Sequence, residues 1–351
     1  KDSGVAIEAL KGRAFDFRVE NISKEWATAY HEHPAFKAGK LVKELVDHEN
    51  GTGMQGFAFN TRRTKFADPR VREALSYAFD FEWTNNNLFY GQYKRTSSYY
   101  SNTELGSSGL PSGLELEILD PYRGRVPEEV FTKTFAPPAT DGSGNIRQNL
   151  RTAKNMLTEA GWVIQEGKLT NEKTGDVMSI EFLLSSPSFE RVVGPYVQNL
   201  ERLGVESTIR TVDRAQYQNR LQEFDFDATV VVWGQSLSPG NEQRNMWTSE
   251  AATTPGSRNF VGIQDPIVDE LVIKLINSSD RKTLVATTQA LDRVLLWGHY
   301  VVPHWHIRSH RLVYWNKFGK PDVSPRYMPS PFTTFPSMWW VDASKAATLG
   351  N

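Results

Sequence analysis

Three strand-like runs, at residues 177–184, 205–212 and Ala228–Trp233, are separated by two helical patterns, and this alternation constrains the fold more than any other feature of the chain. Met178, Ile180, Phe182 and Leu184 keep a period of two. Ser188 then caps a helix whose inner face is Phe189, Val192, Val193, Tyr196, Val197, Leu200 and Leu203, closed by Gly204. Asp213 caps a second helix that ends near Phe224. Two consecutive strand–helix–strand units predict right-handed crossovers and parallel strands, so the fold class is α/β. The dense apolar run before Trp233 predicts a strand buried on both faces. The chain then turns abruptly into Gly234-Gln235-Ser236-Leu237-Ser238-Pro239-Gly240-Asn241-Glu242. In an open α/β sheet, ligands gather beyond the carboxyl ends of the strands. Trp233, Gln235, Ser236, Asn241 and Glu242 are therefore candidate ligand-binding residues.

The flanking segments complete the outline. Residues 1 to about 40 read as a helix followed by a polar, aromatic loop. Gly51-Thr52-Gly53 breaks the chain before a strand at 54–60. Asp68-Pro69 supplies a cap and a first-turn proline for an amphipathic helix carrying Val71, Ala74, Leu75, Ala78 and Phe79. Asp80 caps a further helix reaching Tyr90. Residues 92–141, rich in Ser, Tyr, Gly and Pro, read as a long surface excursion packed by its aromatics. Its Lys94-Arg95 beside Tyr93 and Tyr99-Tyr100 offers a cation among rings, suited to an anionic or extended ligand or to a solvated loop. Helices are expected at 149–160, Pro266–Ile276 and 279–297, and strands at 162–170, 300–307 and 311–315. A Pro-rich tail ends in the strand-like Met338-Trp339-Trp340-Val341.

Composition narrows the chemistry. The 351 residues carry 40 basic and 41 acidic side chains, and no cysteine. The balance gives no basic surface for nucleic acid, and the lack of cysteine removes thiol catalysis, Fe–S clusters and Cys-ligated zinc. No stretch approaches the ~20 apolar residues of a membrane span. The opening Lys1-Asp2-Ser3 reads as the middle of a domain rather than as a signal peptide.

Catalytic and metal patterns are incomplete. Gly234-Gln235-Ser236-Leu237-Ser238 resembles a nucleophile elbow, but Ser238 replaces the closing glycine and Pro239-Gly240 leads into a loop instead of a helix. His304, His306 and His310 are the best metal ligands available, with His304 and His306 sharing a face of an extended strand; a core histidine bonded to backbone is the competing reading. His31-Glu32-His33 lacks zinc spacing. Gly51-Thr52-Gly53 and Gly142-Ser143-Gly144 lack the features of phosphate loops. No cofactor or metal is expected, and a serine or His-metal hydrolase remains the enzyme alternative.

Residues 65–80, KFADPRVREALSYAFD, resemble the F-x-D-x-R-V-R-x-A-L-x-x-A-x-D signature of family 5 extracellular solute-binding proteins, the receptors of ABC importers. DFEWTNNNLFYGQY at 80–93, GLPSG at 109–113, WGQSLSPGNEQ at 233–243 and LLWGHY at 295–300 are similar to the YejA-type subgroup, associated with oligopeptides and microcin C. The resemblance implies a two-lobed periplasmic binding protein of type II (cluster C), non-enzymatic, exported to the periplasm and delivering its ligand to permease subunits. It places residues 1–45 at the end of the first lobe, 46–305 in the second lobe and 306–351 in the return to the first, with hinges near 54–60 and 304–310. It also implies an N-terminal remainder of the same protein, onto which the tail docks. Tyr93, Arg95, Asn60 and His306 join the ligand-binding candidates on this basis. In oligopeptide receptors of the family an aspartate three residues beyond the tryptophan pairs with the peptide's amino terminus. That position is Ser236 here, so either Glu242 or a first-lobe residue replaces it, or the ligand's amino end is blocked. A receptor for oligosaccharides or opines is the alternative within the same class.

Overall fold

A computed structural model describes residues 3–328 and 330–350; the Lys1-Asp2 opening, Pro329 of the tail and the terminal Asn351 lie outside the described residues. The chain divides into two compact units, one of residues 1–50, 85–93 and 307–351, the other of residues 51–84 and 94–306. The segment read as continuous over 46–305 is thus interrupted at 85–93, which carries Tyr93 into the smaller unit.

The smaller unit is built on a three-stranded antiparallel sheet in which Ser309–Trp315 lies between Phe17–Val19 and Leu41–Asp47. Leu312 and Val313 of the central strand are fully buried. Ile7, Leu10 and Tyr30 pack with Val313 and Trp315 in one apolar cluster, while Met328 and Phe335 pack with Leu312 and Tyr314 in another. Trp340–Val341 pairs with Phe318–Gly319, as a short strand at the tail's end.

The larger unit carries a mixed five-stranded sheet in the order Val301–Pro303, Met54–Phe59, Ala228–Trp233, Ser179–Leu184, Glu206–Thr211. The last three are parallel and connected by helices Glu190–Glu201 and Arg214–Gln222, as the alternation predicts. Met54–Phe59 runs antiparallel to the whole of Ala228–Trp233, from Met54 opposite Trp233 to Phe59 opposite Ala228. The expectation of burial on both faces needs correction. Thr229, Val231 and Trp233 are buried on one face, whereas Val232 on the other is 51% exposed. Pairing with Ser179–Leu184 stops at Leu183 opposite Thr229, so the carboxyl half of the strand has a sheet neighbour on one side alone.

Local sequence accounts for the main helices. Asp68 accepts the Arg70 amide and Asp265 that of Ile267, each ahead of a first-turn proline. Asp80 Oδ1 accepts the Trp83 amide at 3.0 Å and opens Phe81–Leu88. The cap before Glu190–Glu201 is Ser186 rather than Ser188, through a preceding 3-10 turn. Residues 162–170 form a hairpin, Trp162–Gln165 with Lys168–Asn171, because Glu166-Gly167 turns at φ +49° and +82°.

The 92–141 excursion is a surface feature only in part. Tyr99, Tyr100, Leu105, Leu119, Tyr122 and Val130 are buried in the main core together with helices Pro266–Ile276 and Arg281–Trp297. Two buried charges of the latter helix fasten it. Asp292 accepts from Tyr99 N at 2.7 Å and from Ser107 N and Oγ at 2.8 and 2.7 Å. Arg293 donates to Glu115, Gly109 O and Ser108 O.

Burial also sets a pH response. It pushes His299 down to about 4, although Glu73 Oε2 lies 3.6 Å away, and holds His304 well below the usual histidine range. It raises Asp292 to about 6. The unfolded chain takes protons on the two histidines first, so their stabilisation is complete above pH ~6.5 and is lost as pH falls, for His299 toward about 4. Asp292 acts in the opposite sense, favouring the folded state as pH falls through about 6. With two histidines against one acid, stability of the larger unit should fall between pH 7 and pH 4.5. Urea midpoints at the two pH values check this, and Asp292→Asn should make the fall steeper.

Candidate functional site

Trp233 ends its strand with a fully buried indole, in ring contact with Tyr99, Trp247 and Phe260, and Nε1 donates to Arg258 O at 2.9 Å. The candidate ligand-binding indole is therefore packed into the core, and the segment that follows it carries the accessible groups. The strand closes against Gly53, whose φ is +64°; a Cβ there would lie 2.1 Å from Trp233 O.

Beyond Trp233 the polar side chains converge on a residue that the sequence reading left out. Gln243, fully buried at the start of helix Glu242–Trp247, accepts from Tyr100 Oη and Trp247 Nε1, both at 2.7 Å. Its amide nitrogen donates to Gln235 Oε1 at 2.8 Å and Glu242 Oε1 at 3.1 Å. All four hydrogen-bonding positions of one amide are used, which fixes the loop conformation. The signal was faint in sequence: a glutamine between Glu242 and Arg244 at the end of a polar loop. Only its spacing of four from Trp247 hinted at a shared helix face.

Glu242 Oε1 also accepts from Gly240 N at 2.8 Å. Burial opposes ionisation, but the hydrogen bonds from Gly240 and Gln243 hold the carboxyl below its ordinary value, so it is an anion at neutral pH. Ser236 is exposed, and its Oγ accepts the Ser238 amide proton at 3.2 Å in a tight turn. Asn241 is exposed at the cap position of the 242–247 helix, with no side-chain cap hydrogen bond. Arg281 reaches Leu237 O and pairs with Glu104 at 2.5 Å, tying the loop to the long helix. The assembly presents one acid, two hydroxyls and amides at a strand's carboxyl end, a surface for hydrogen-bonding a polar ligand.

The remaining candidates lie elsewhere. Asn60 is buried and donates to Phe224 O and Phe226 O, while its Oδ1 accepts from Arg62, so the side chain closes a backbone turn. Tyr93 lies in the smaller unit, where Arg311 sits over its ring at 4.9 Å and Nη1 donates to its hydroxyl. His306, on the two-residue strand Trp305–His306, has Nδ1 3.1 Å from Thr96 Oγ1. His304 and His306 do not share an exposed face, because the strand breaks at His304 and buries it. Among the described residues no group of three or more His, Asp or Glu could hold a metal, and no helix is long and apolar enough to cross a membrane.

The mixed α/β architecture is that of the type II periplasmic binding protein fold. The chain belongs to the bacterial extracellular solute-binding proteins, family 5, whose middle region matches residues 1–255; it is a family of binding proteins, not of enzymes. It is similar to the "Probable peptide-binding protein YejA" of Agrobacterium fabrum, at 44% identity over 97% of this chain and 55% of that protein. It is also similar to the "Peptidoglycan-binding protein YepA" of the same organism, at 38% identity over 86% of this chain and 49% of that one. The oligopeptide-binding protein AppA from Bacillus subtilis, solved in complex with a nonapeptide, shares the fold at TM-score 0.69 and 18% identity, over 97% of this chain and 58% of AppA. The chain spans about half the length of the curated relatives it matches.

Proposed function

We propose that this chain is the main ligand-contacting part of the substrate-binding component of an ABC importer, working in the periplasm and capturing oligopeptides or peptide-like compounds for delivery to the permease. The observation that carries the reading is the ordered loop Gly234–Glu242 at the carboxyl end of Ala228–Trp233, in a family 5 chain whose relatives include one named for peptide binding. An extended ligand's backbone can be satisfied by such amides and hydroxyls without regard to side chain, which suits breadth of sequence.

Ser236 refines the ligand class. A hydroxyl cannot balance the charge of a buried ammonium, and an unpaired cation there costs several kcal/mol. The ionised Glu242 is the one acid in this loop, and it is already shared between Gly240 and Gln243. The arrangement favours ligands whose amino end is blocked, as in formylated, microcin C-like peptides. A relative named for peptidoglycan binding makes peptide-bearing cell-wall fragments the second reading.

Native mass spectrometry of the intact protein, isolated from the periplasm, tests this directly. Blocked peptides or muropeptides should co-purify, and saccharides without a peptide moiety would overturn the proposal. Calorimetry should show a formylated peptide binding at least about tenfold tighter than its free-amine counterpart, and Ser236→Asp should reverse that preference.

A further inference from the structure

Arg95, on a short strand, and His304, at a strand break, lie close together in the larger unit. Lys94–Arg95 pairs antiparallel with Trp305–His306, Arg95 opposite Trp305, and Thr96 N donates to His304 O at 3.0 Å. The Arg95 guanidinium lies over the rings of Phe79 and Phe81, with Cζ 4.9 and 5.2 Å from their centroids. Its Nε, Nη1 and Nη2 are all buried without a hydrogen-bond partner among the described residues. Burial lowers its pKa only to about 10, so it is a cation at neutral pH. The nearby acids are engaged elsewhere: Asp80 Oδ1 accepts from Trp83 N and Thr140 Oγ1, and Glu82 Oε2 from Thr140 N. Asp80 Oδ2 is itself buried and unpartnered, and makes no ion pair with Arg95.

His304 adds a donor beside the same ring. It is fully buried, 5.9 Å from the Phe79 ring, and its Nδ1 lies 3.1 Å from the Gln55 amide nitrogen. A donating amide makes Nδ1 the acceptor and leaves the proton on Nε2. That N–H is also buried and unpartnered among the described residues. Trp305 stacks on the imidazole at 4.6 Å and 12°, and Phe189 is nearly parallel to both, 6.1 and 6.2 Å away. Trp305 and Phe189 are only partly buried.

A buried guanidinium with none of its five N–H groups bonded is strongly unfavourable, and a second unmet donor adjoins it. We infer that Arg95 and His304 form a subsite for one carboxylate of the captured solute, the guanidinium fork gripping it and His304 Nε2–H adding a third bond beneath Trp305 and Phe189. The inference rests on the solute-binding reading above and assigns it an acidic ligand group.

Sodium acetate, against acetamide at equal ionic strength, probes the subsite without a peptide. In the intact protein labelled with ¹⁵N-arginine and ¹⁵N-histidine, acetate should shift the Arg95 and His304 side-chain signals saturably, and acetamide should not. Arg95→Met should weaken acetate binding at least about tenfold while raising the urea midpoint, because an unpaired buried charge is replaced by an apolar chain of similar shape. Unmoved signals in acetate, or a variant that binds acetate as tightly as the parent, would overturn the subsite. A lowered midpoint in Arg95→Met together with no acetate response would mark Arg95 as a structural cation instead. If acetate binds at Arg95 but no peptide binds the protein, the peptide reading fails and the anion subsite stands.

Discussion

Replacing Gln243 with leucine should cost about 3–5 kcal/mol and disorder the Gly234–Glu242 loop. The substitution conserves approximate size and leaves four partners without their bonds. Tyr100 Oη and Trp247 Nε1 both belong to fully buried residues, and each loses its acceptor. An unmet buried donor costs ~1–3 kcal/mol. Gln235 and Glu242 lose the donor that holds them. Ligand affinity should fall with stability, since the same amide orients the polar face of the loop. The effect is read as a drop in urea midpoint, and a double-mutant cycle with Tyr100→Phe should recover part of it. Full additivity in that cycle would show that Gln243 does not bond Tyr100 in solution.

Gly53→Ala is expected to be comparably severe, at about 3 kcal/mol or more. The added methyl meets the Trp233 carbonyl oxygen at 2.1 Å, and backbone cannot swing aside as a flexible side chain would. The residue's φ of +64° adds the strain of the left-handed region for a residue bearing a Cβ. Because Met54 pairs with Trp233 directly beyond this contact, relief must come from shifting the end of the central strand and the loop attached to it. Hydrogen exchange at Trp233, Gly234 and Gln235 should therefore accelerate in the variant, with distant helices such as Arg147–Glu159 unchanged. Unaltered protection at the strand end would show that the close approach does not exist in solution.

Much of the framework was legible in the residues because it is governed by short-range rules. A cap and proline at Asp68-Pro69 and Asp265-Pro266, the period of two in 178–184 and the helical period in 192–200 all act within a turn or a strand. Each produced the expected element. The parallel orientation of the three strands followed from their helical connections. Misreadings arose where distant contacts decide. Ser- and Tyr-rich residues 92–141 have the composition of a surface loop, yet Asp292 and Arg293, nearly two hundred positions away, pull part of them into the core. The turn at Glu166-Gly167 was hidden inside a β-rich run, and the excursion of 85–93 into the smaller unit leaves no local mark.

The loop after Trp233 shows the same division. Sequence alone determined that Ala228–Trp233 is a sheet strand, that a polar loop follows it, and that this loop lies at a carboxyl edge. Those conclusions need only apolar run length, turn residues and crossover handedness. Tertiary structure decided which side chains face outward and which are consumed by the fold. It turned Trp233 and Asn60 into structural anchors, brought in Gln243 as the centre of the loop's hydrogen bonds, and set Arg95 beside His304 from positions more than two hundred residues apart. The reason is physical. Whether a polar atom is free to meet a ligand depends on the other groups within about 3 Å of it. In this chain those groups come mostly from remote segments.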